Sequence, residues 1–545
     1  MTSPSLTLES VSLVLPDGRP LFSDITAQFD QQPTGLVGRN GVGKSALAQI
    51  MAGHLPPSAG RCLRQGSVHY LPQRISPQQY PTVAALAGVQ SVLAALDRIE
   101  AGSADPADFE VVGERWNIRQ QLADELDRHD LGLLPPDRPT SSLSGGEIMR
   151  AALVGATLRG ADMLILDEPT NHLDAPGRHA LLEQLHRWPG ALLVISHDRA
   201  LLQQMSRIVE LSGHGLRNYA GNHDFYEQCS RQEREQARQQ LDQRKLERRR
   251  GEQALREQRE QQQRRQAHNR QQGRDANQAK ILLGRQKERS ESTGGKLQAH
   301  QAATREALSQ RVREAAREVE DEMPIAMLPP QGHSPATRRV AELRDVELPF
   351  VAAATRRIGL TVTSRQRIGV TGPNGCGKST LLKLLAGRTA PLSGQLHRPD
   401  TVAWLDQHAS LLAPRLGVLE QLQAANPATD ETSLRTRLAL LGLDASRIML
   451  PSALLSGGER MKAALACALG IEQPASLLLL DEPGNHLDLT SLHALESMLR
   501  QYRGALLVVS HDEVFLDRLA LTHRLHAGTE GWRLQPEQRM PPAQA

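Results

Sequence analysis

Two octapeptides carry the densest chemistry in the chain. Gly38-Arg39-Asn40-Gly41-Val42-Gly43-Lys44-Ser45 and Gly372-Pro373-Asn374-Gly375-Cys376-Gly377-Lys378-Ser379 share glycines at fixed spacing, then a lysine and a hydroxyl residue. Glycines let successive backbone N–H groups turn toward one anion, and a helix opening at the lysine adds its positive end. Each loop follows an apolar run, Gly35-Leu36-Val37 or Arg367-Ile368-Gly369-Val370, and opens a helix-forming run beginning Ser45-Ala46-Leu47 or Ser379-Thr380-Leu381-Leu382. The predicted chemistry is phosphate binding, with Lys44 and Lys378 neutralising the β and γ phosphates of a nucleotide and Ser45 and Ser379 offering an oxygen to Mg²⁺.

The runs Met163-Leu164-Ile165-Leu166 and Leu477-Leu478-Leu479-Leu480 predict buried parallel strands, and each ends in two acids, Asp167-Glu168 and Asp481-Glu482. Ligands of such sheets bind beyond the carboxyl ends of the strands. The first acid suits the Mg²⁺ shell, and the second, Glu168 or Glu482, suits polarising a water for attack on a γ-phosphate. His197 and His511 close two further apolar runs, Ala191–Ile195 and Ala505–Val509, where a histidine can hydrogen-bond the γ-phosphate or orient that water. Together these residues describe ATP hydrolysis at two sites.

Every landmark occurs twice and in one order. Gln73 pairs with Gln407, Leu143-Ser144-Gly145-Gly146-Glu147 with Leu455-Ser456-Gly457-Gly458-Glu459, and Ser196-His197-Asp198 with Ser510-His511-Asp512. The offset between copies is constant through Lys44/Lys378 and Gln73/Gln407, then falls by about 22 residues at Ser144/Ser456. The first half therefore carries an insertion near 90–116, which reads as helix, Gly/Pro-bearing turn and helix. A plain surface loop is the alternative.

What must position these residues is a pair of domains and a connector. The 545 residues accommodate two domains of about 200 residues each. No stretch reaches the roughly 18 to 20 uninterrupted apolar residues of a membrane span, and the N-terminus lacks a cleavable signal, so a cytoplasmic protein is expected. Cys62, Cys229, Cys376 and Cys467 are too far apart for a C-x-x-C pair or an iron–sulfur spacing and read as reduced thiols. A net charge of +3 decides nothing about nucleic acid until its distribution is seen.

From about Cys229 to Asp321 apolar residues thin out and Arg, Gln and Glu dominate, with few breakers before Gly273. Long helices are predicted, with an arm of about 40 residues spanning about 60 Å. Between Arg244 and Arg289 basic residues exceed acidic ones by about nine. The predicted tip, Ala267 to Gly295, includes Arg270, Arg274, Lys280, Arg285, Lys287 and Arg289. Folded RNA read by shape is the expected counterpart, because the connector lacks the aromatic residues that stack single strands. A solvated coiled coil that merely spaces the two domains is the alternative.

These residues resemble the ATP-binding-cassette superfamily, whose signature loop is similar to L-S-G-G-E. The run Asp167-Glu168-Pro169-Thr170-Asn171-His172-Leu173-Asp174, the shorter match Asn485-His486-Leu487-Asp488, and Tyr219-Ala220-Gly221-Asn222 before the connector resemble its ABC-F branch. The resemblance implies an α/β fold of two P-loop ATP-binding-cassette domains in tandem, joined by a long helical-hairpin linker. It implies domains at 1–228, 229–321 and 322–530 with a short tail at 531–545.

The resemblance further implies two shared sites, each capped by the signature loop of the other cassette. Site one would join Gly38 to Ala46, Gln73, Asp167, Glu168 and His197 with Ser456, Gly457 and Gly458. Site two would join Gly372 to Thr380, Gln407, Asp481, Glu482 and His511 with Ser144, Gly145 and Gly146. The Mg²⁺ ligands would be Ser45, Gln73 and Asp167, and Ser379, Gln407 and Asp481. Phe350 would stack on adenine in site two, with Leu15 at the corresponding place in site one. Two departures, Ala46 where the family carries a hydroxyl and Gly484 where the first half has Thr170, make the sites unequal.

On the same resemblance the partner is the ribosome, with the hairpin near rRNA and peptidyl tRNA. The protein would be monomeric, with the cassettes pairing intramolecularly, and no DNA partner is expected. The rival reading is a soluble ATPase module energising a separate membrane transporter. A DNA-repair ATPase fits less well, because there the coil interrupts one cassette. A ribosome-recycling cassette ATPase would need an iron–sulfur domain that this chain lacks.

Overall fold

The computed structural model describes residues 4–171, 173–275, 302–316, 338–399, 401–406, 409, 411–443, 445–469, 475–485 and 487–537. The chain divides into two units, Met1–Tyr226 with Pro324–Ala545, and Glu227–Met323.

The first half begins with strands β1 (Ser5–Val14), β2 (Pro20–Phe29) and β3 (Thr34–Gly38), then helix α1 (Lys44–Ala52), β4 (Ala59–Gln65) and β5 (Val68–Leu71). Helices α2 (Val83–Leu86), α3 (Gln90–Glu100), α4 (Pro106–Val112), α5 (Ile118–Arg128) and α6 (Gly145–Leu158) follow. The half closes with β6 (Met163–Asp167), α7 (Ala175–His186), β7 (Ala191–Ile195), α8 (Arg199–Gln203), β8 (Arg207–Ser212), β9 (Gly215–Tyr219) and the start of α9 (His223–Asp275). After α10 (302–316) the plan repeats. Its strands are β10 (Arg339–Glu347), β11 (Arg357–Thr363), β12 (Arg367–Thr371), β13 (Ser393–His397), β14 (Val402–Leu405), β15 (Leu477–Asp481), β16 (Ala505–Val509), β17 (His523–Gly528) and β18 (Gly531–Pro536). Its helices are α11 (Lys378–Leu385), α12 (Val418–Ala425), α13 (Glu431–Leu440), α14 (Gly457–Leu469), α15 (Leu489–Gln501) and α16 (Glu513–Arg518).

Each half holds a six-stranded sheet, in the orders β5-β6-β7-β3-β8-β9 and β14-β15-β16-β12-β17-β18, and a three-stranded sheet, β2-β1-β4 or β11-β10-β13. The central strands β6, β7, β15 and β16 are buried along their whole length, which is why they read as unbroken apolar runs. By contrast β1 alternates buried with mostly half-buried residues, as a strand with one more open face does. The predicted insertion is the pair α3 and α4. Asp105 caps α4 through the Ala107 amide, and Arg98 and Ser103 both donate to Asp108, at 2.9 and 2.8 Å. Val92, Leu96 and Val112 are buried, so the pair packs rather than standing free.

The first residues of the segment expected as a tail from 531 form a strand. Gly531–Pro536 pairs antiparallel with β17, and Trp532 packs on the core and donates its indole N–H to the Thr355 carbonyl at 2.7 Å. An unpaired β17 edge and an unburied tryptophan both favour this extra strand.

In the second unit α9 extends through Gly273, its 53 residues together spanning about 80 Å. Arg–Glu pairs one turn apart, Arg248–Glu252 and Arg256–Glu260 among them, line its surface. Leu308 of α10 lies over Gly251, where an added Cβ would come within 2.6 Å of it. The backbone of Arg270 and Arg274 belongs to α9, while Lys280, Arg285, Lys287 and Arg289 lie outside the described residues.

The halves of the first unit meet through a buried charge cluster. Arg199, at the start of α8, donates to Glu496 of α15 at 2.6 Å, and Arg518 and His493 approach the second Glu496 oxygen at 3.4 Å. Burial works to raise the Glu496 pKa, but His493 and Arg199 hold it below the ordinary value. Arg199→Ala removes the shortest of three contacts to this buried carboxylate and is expected to cost about 1.5–3 kcal/mol of stability. A chemical-denaturation midpoint measures this, and Arg199→Met with Glu496→Leu should recover most of the loss.

Candidate nucleotide sites

Both glycine-rich loops run from a central strand into a helix, β3 to α1 and β12 to α11. Gly38 and Gly372 stand at φ 146° and 145°. A Cβ there would lie 2.2 Å from the Leu211 carbonyl oxygen or 2.6 Å from that of Ala527, so only glycine fits. Gly43 and Gly377 cap the helices without any side-chain hydrogen bond, leaving the first-turn amides directed at the loop's concavity. Lys44 Nζ donates to the carbonyls of Gly38 and Arg39 at 2.6 and 3.0 Å, and Lys378 Nζ to those of Gly372 and Pro373 at 2.7 and 2.9 Å.

Two cavities open at these loops, of about 690 and 310 Å³. Asn40, Gly41, Gly43, Lys44, Ser45, Ala46 and Gln73 line the first, and Asn374, Gly375, Gly377, Lys378, Ser379 and Thr380 the second. Val42 packs on the core and Cys376 is buried, so these two loop positions serve packing. Gln407 lies outside the described residues.

The acids arrive at the strand ends in mirror fashion. Asp167 and Glu168 line the first cavity, and Asp481 and Glu482 the second. Glu168 and Glu482 both take φ 49°, a left-handed turn held by their amides donating to Ile195 O at 2.8 Å and Val509 O at 3.0 Å. Such backbone is costly for a residue with a Cβ and clusters where side-chain aim matters. Burial pushes Glu168 up to about 8 and Glu482 up to about 7, the latter opposed most by Arg178. His197 and His511 each bring Nε2 to 3.5 Å from the acid of their own site. Burial, then the neighbouring lysine, drops His197 to about 3 and His511 to about 4, so both rings are neutral at pH 7 and act as single N–H donors.

Oxygen donors suited to a hard cation stand beside each loop. Ser379 Oγ donates to Asp481 Oδ1 at 3.1 Å, and Tyr70 donates to Asp167 Oδ2 at 3.1 Å. Asp167 Oδ1 is buried with no hydrogen-bond partner, as is Glu482 Oε1. Buried acceptors of that kind fit a divalent ion or a reacting water.

The signature loops are helix caps. Ser144 and Glu147 exchange hydrogen bonds at the start of α6, as Ser456 and Glu459 do at α14, which explains why a glutamate ends S-G-G-E. Ser456 and Gly457 of the second half line the first cavity, while Gly458 packs toward Ser491. The mirror arrangement is incomplete: Ser144, Gly145 and Gly146 are not among the residues lining the second cavity, where Leu173 and Arg178 represent the first half.

A reciprocal contact that the sequence does not announce joins the halves. Asp174 caps α7 through one carboxylate oxygen, to the Gly177 amide at 3.0 Å, and with the other accepts the Asn374 amide of the second loop at 3.1 Å. Asp488 does the same, to the Ser491 amide at 2.7 Å and the Asn40 amide at 3.0 Å. Burial alone would raise both carboxyls, yet these donors hold them below the ordinary value. The available signal was an aspartate closing N-H-L-D immediately before a helix.

Phe350 lines the second cavity, 98% exposed and at φ 60°. Its ring is a flat apolar surface that the protein core does not use. In the first half Leu21, not Leu15, borders the cavity, because β2 starts early enough to bring Leu21 over Gly43.

Comparison with known proteins gives a consistent picture. A family described as ABC transporter matches residues 24–171 and 355–485. The tylosin resistance ATP-binding protein of Streptomyces fradiae is 31% identical over 560 residues, covering 96% of this chain and 97% of that protein. The energy-dependent translational throttle protein of Mycobacterium tuberculosis is 31% identical, covering 93% and 88%. An archaeal ribosome recycling factor, solved with a ribosomal stalk protein, shares the fold at TM-score 0.54 and 19% identity, covering 96% and 89%.

Proposed function

The chain belongs to the ABC-F branch of the ATP-binding-cassette proteins and is an ATP hydrolase; from that premise we propose that it binds the ribosome with its cassettes closed on ATP and leaves when the ATP is hydrolysed. The reading is carried by the reciprocal clasp of Asp174 on the Asn374 amide and Asp488 on the Asn40 amide, which ties each phosphate loop to the other cassette. Nucleotide in either site is thereby linked to closure, and a ligand that favours one arrangement shifts the population toward it.

Within each site the loop amides and Lys44 or Lys378 hold the phosphates. Glu168 and Glu482 accept a proton from the attacking water, and His197 and His511 donate to the γ-phosphate or hold that water in line. Ser45, Gln73 and Asp167, and Ser379 and Asp481 with Gln407, would hold Mg²⁺. When bound, Mg²⁺ supplies neutralisation of charge between the β and γ phosphates. Phe350 stacks on adenine in site two, and Leu21 provides only an apolar contact in site one.

The ribosome as partner is supported by the basic composition of the connector, with its 53-residue α9, and by the translational throttle and drug-resistance names of its relatives. Among the described residues no helix is long and apolar enough to cross a membrane. The hairpin would lie against rRNA and peptidyl tRNA, with Arg270, Arg274, Lys280, Arg285, Lys287 and Arg289 near its tip. Backbone neutralisation of that kind weakens steeply with salt.

Co-sedimentation of the Glu168→Gln, Glu482→Gln double variant with ribosomes tests the reading. ATP-dependent pelleting that declines between two salt concentrations is expected. Absence of pelleting in every nucleotide state would favour a different partner, the membrane-transporter module included.

A further inference from the structure

Helices α7 and α15 are mirror images in the fold, each starting at an aspartate that clasps the other cassette's phosphate loop. One turn beyond the clasp they diverge. Four residues after Asp174 stands Arg178, and four residues after Asp488 stands Leu492. Arg178 lines the second cavity beside Lys378, Glu482 and His511, whereas Leu492, 3% exposed, packs in the second cassette's apolar core where it borders the first cavity. The mirrored position therefore brings a guanidinium across to the second cavity and no charge across to the first.

Arg178 is held in place from behind. Its Nε donates to the Leu173 carbonyl at 3.2 Å and its Nη1 to Asp198 Oδ2 at 3.1 Å, and its side chain is only 17% exposed. A guanidinium so fixed loses little freedom on meeting a phosphate and presents donors in a rigid fork. Arg178 also borders the first cavity, on the Asp198 side, so its contact with Asp198 could by itself serve site one.

We propose that Arg178 of the first cassette is a trans-acting phosphate-side cation of site two. The inference rests on the shared-site reading above. A cation supplied across an interface stabilises the charge that spreads over the transferring phosphoryl group, and it does so only when the two cassettes are closed. Site two would thus fire only in the closed arrangement; the first cavity is bordered instead by Arg74, Arg178 and Arg460 beside Lys44, with no cation at the position that mirrors Arg178.

The test separates the sites by silencing one at a time. In a Glu168→Gln background, single-turnover hydrolysis reports site two; in a Glu482→Gln background it reports site one. Arg178→Leu, which installs the residue found at the mirror position, is expected to lower the site-two rate constant by about 100-fold, the order seen for loss of one transition-state donor. The ATP concentration for half-saturation should move by less than about 3-fold, and vanadate trapping of ADP at site two should fall in parallel with the rate. Arg178→Lys should recover part of the rate, which also guards against misfolding.

A loss confined to site one, or equal at both sites, would show that Arg178 merely holds Asp198 and would overturn the proposal, as would no loss at all. Unimpaired hydrolysis by the Glu168→Gln, Glu482→Gln double variant would remove the assignment of one glutamate to each site, and this inference with it.

Discussion

Replacing Glu168 and Glu482 together by glutamine is expected to slow ATP hydrolysis by about 10²- to 10⁴-fold, the range for loss of a general base. Glutamine matches glutamate in size and preserves the left-handed turn at φ 49°, so the strand ends and their amide bonds to Ile195 and Val509 should persist. Replacing the buried carboxylates by neutral amides should leave stability little changed, because burial already favours the uncharged form, with Glu168 at about 8 and Glu482 at about 7. Equilibrium binding of ATP should therefore survive while phosphate release stops. Single-turnover hydrolysis beside a nucleotide-binding titration distinguishes this from unfolding, and hydrolysis within about threefold of the parent would remove both glutamates from the chemistry.

Asp174→Ala with Asp488→Ala is expected to open the cassettes. Each change deletes a helix N-cap, worth about 0.5–2 kcal/mol. Each also deletes a charge-assisted hydrogen bond to the opposite phosphate loop, worth about 1.5–3 kcal/mol. Only the second loss bears on closure, so the two clasps together would weaken it by about 3–6 kcal/mol, or about 10²- to 10⁴-fold in the closed population. Distances between spin labels on the two cassettes, measured with ATP bound, should lengthen, and hydrolysis at both sites should fall together. Asparagine has a single acceptor oxygen, so when it keeps the cap it turns its NH₂ toward the loop amide, and Asp174→Asn with Asp488→Asn should spare the caps yet weaken closure about as much as the alanine pair. Closure unchanged by the alanine pair would move the coupling of the cassettes to the Arg199–Glu496 cluster.

Much of the candidate site was legible because it depends on local backbone demands. The glycines at 38 and 372 are needed where a carbonyl of the neighbouring strand comes within hydrogen-bond distance of a would-be Cβ. The acids follow all-buried strands whose apolar runs mark the sheet centre, and S-G-G-E spells a capping box whatever else it does. The duplication, and the extra helix pair α3–α4 in one copy, follow from comparing the halves with each other.

What the sequence by itself determined is therefore the pair of cassettes, their phosphate loops, their acids and histidines, and the helical basic connector, because each is written in contiguous residues of fixed period or spacing. Tertiary structure alone decided which residues cross between the halves. The clasps join positions 200 and 448 residues apart, and no local period relates Asn374 to Asp174 or Asn40 to Asp488. It also decided that Leu21 rather than Leu15 borders the first cavity, that Gly531–Pro536 completes a sheet, and that Ser456 and Gly457 line one cavity while Ser144 to Gly146 do not line the other. The physical reason is the same in each case: these contacts depend on how two packed bodies are docked, and docking is set by surfaces assembled from residues distant in the chain.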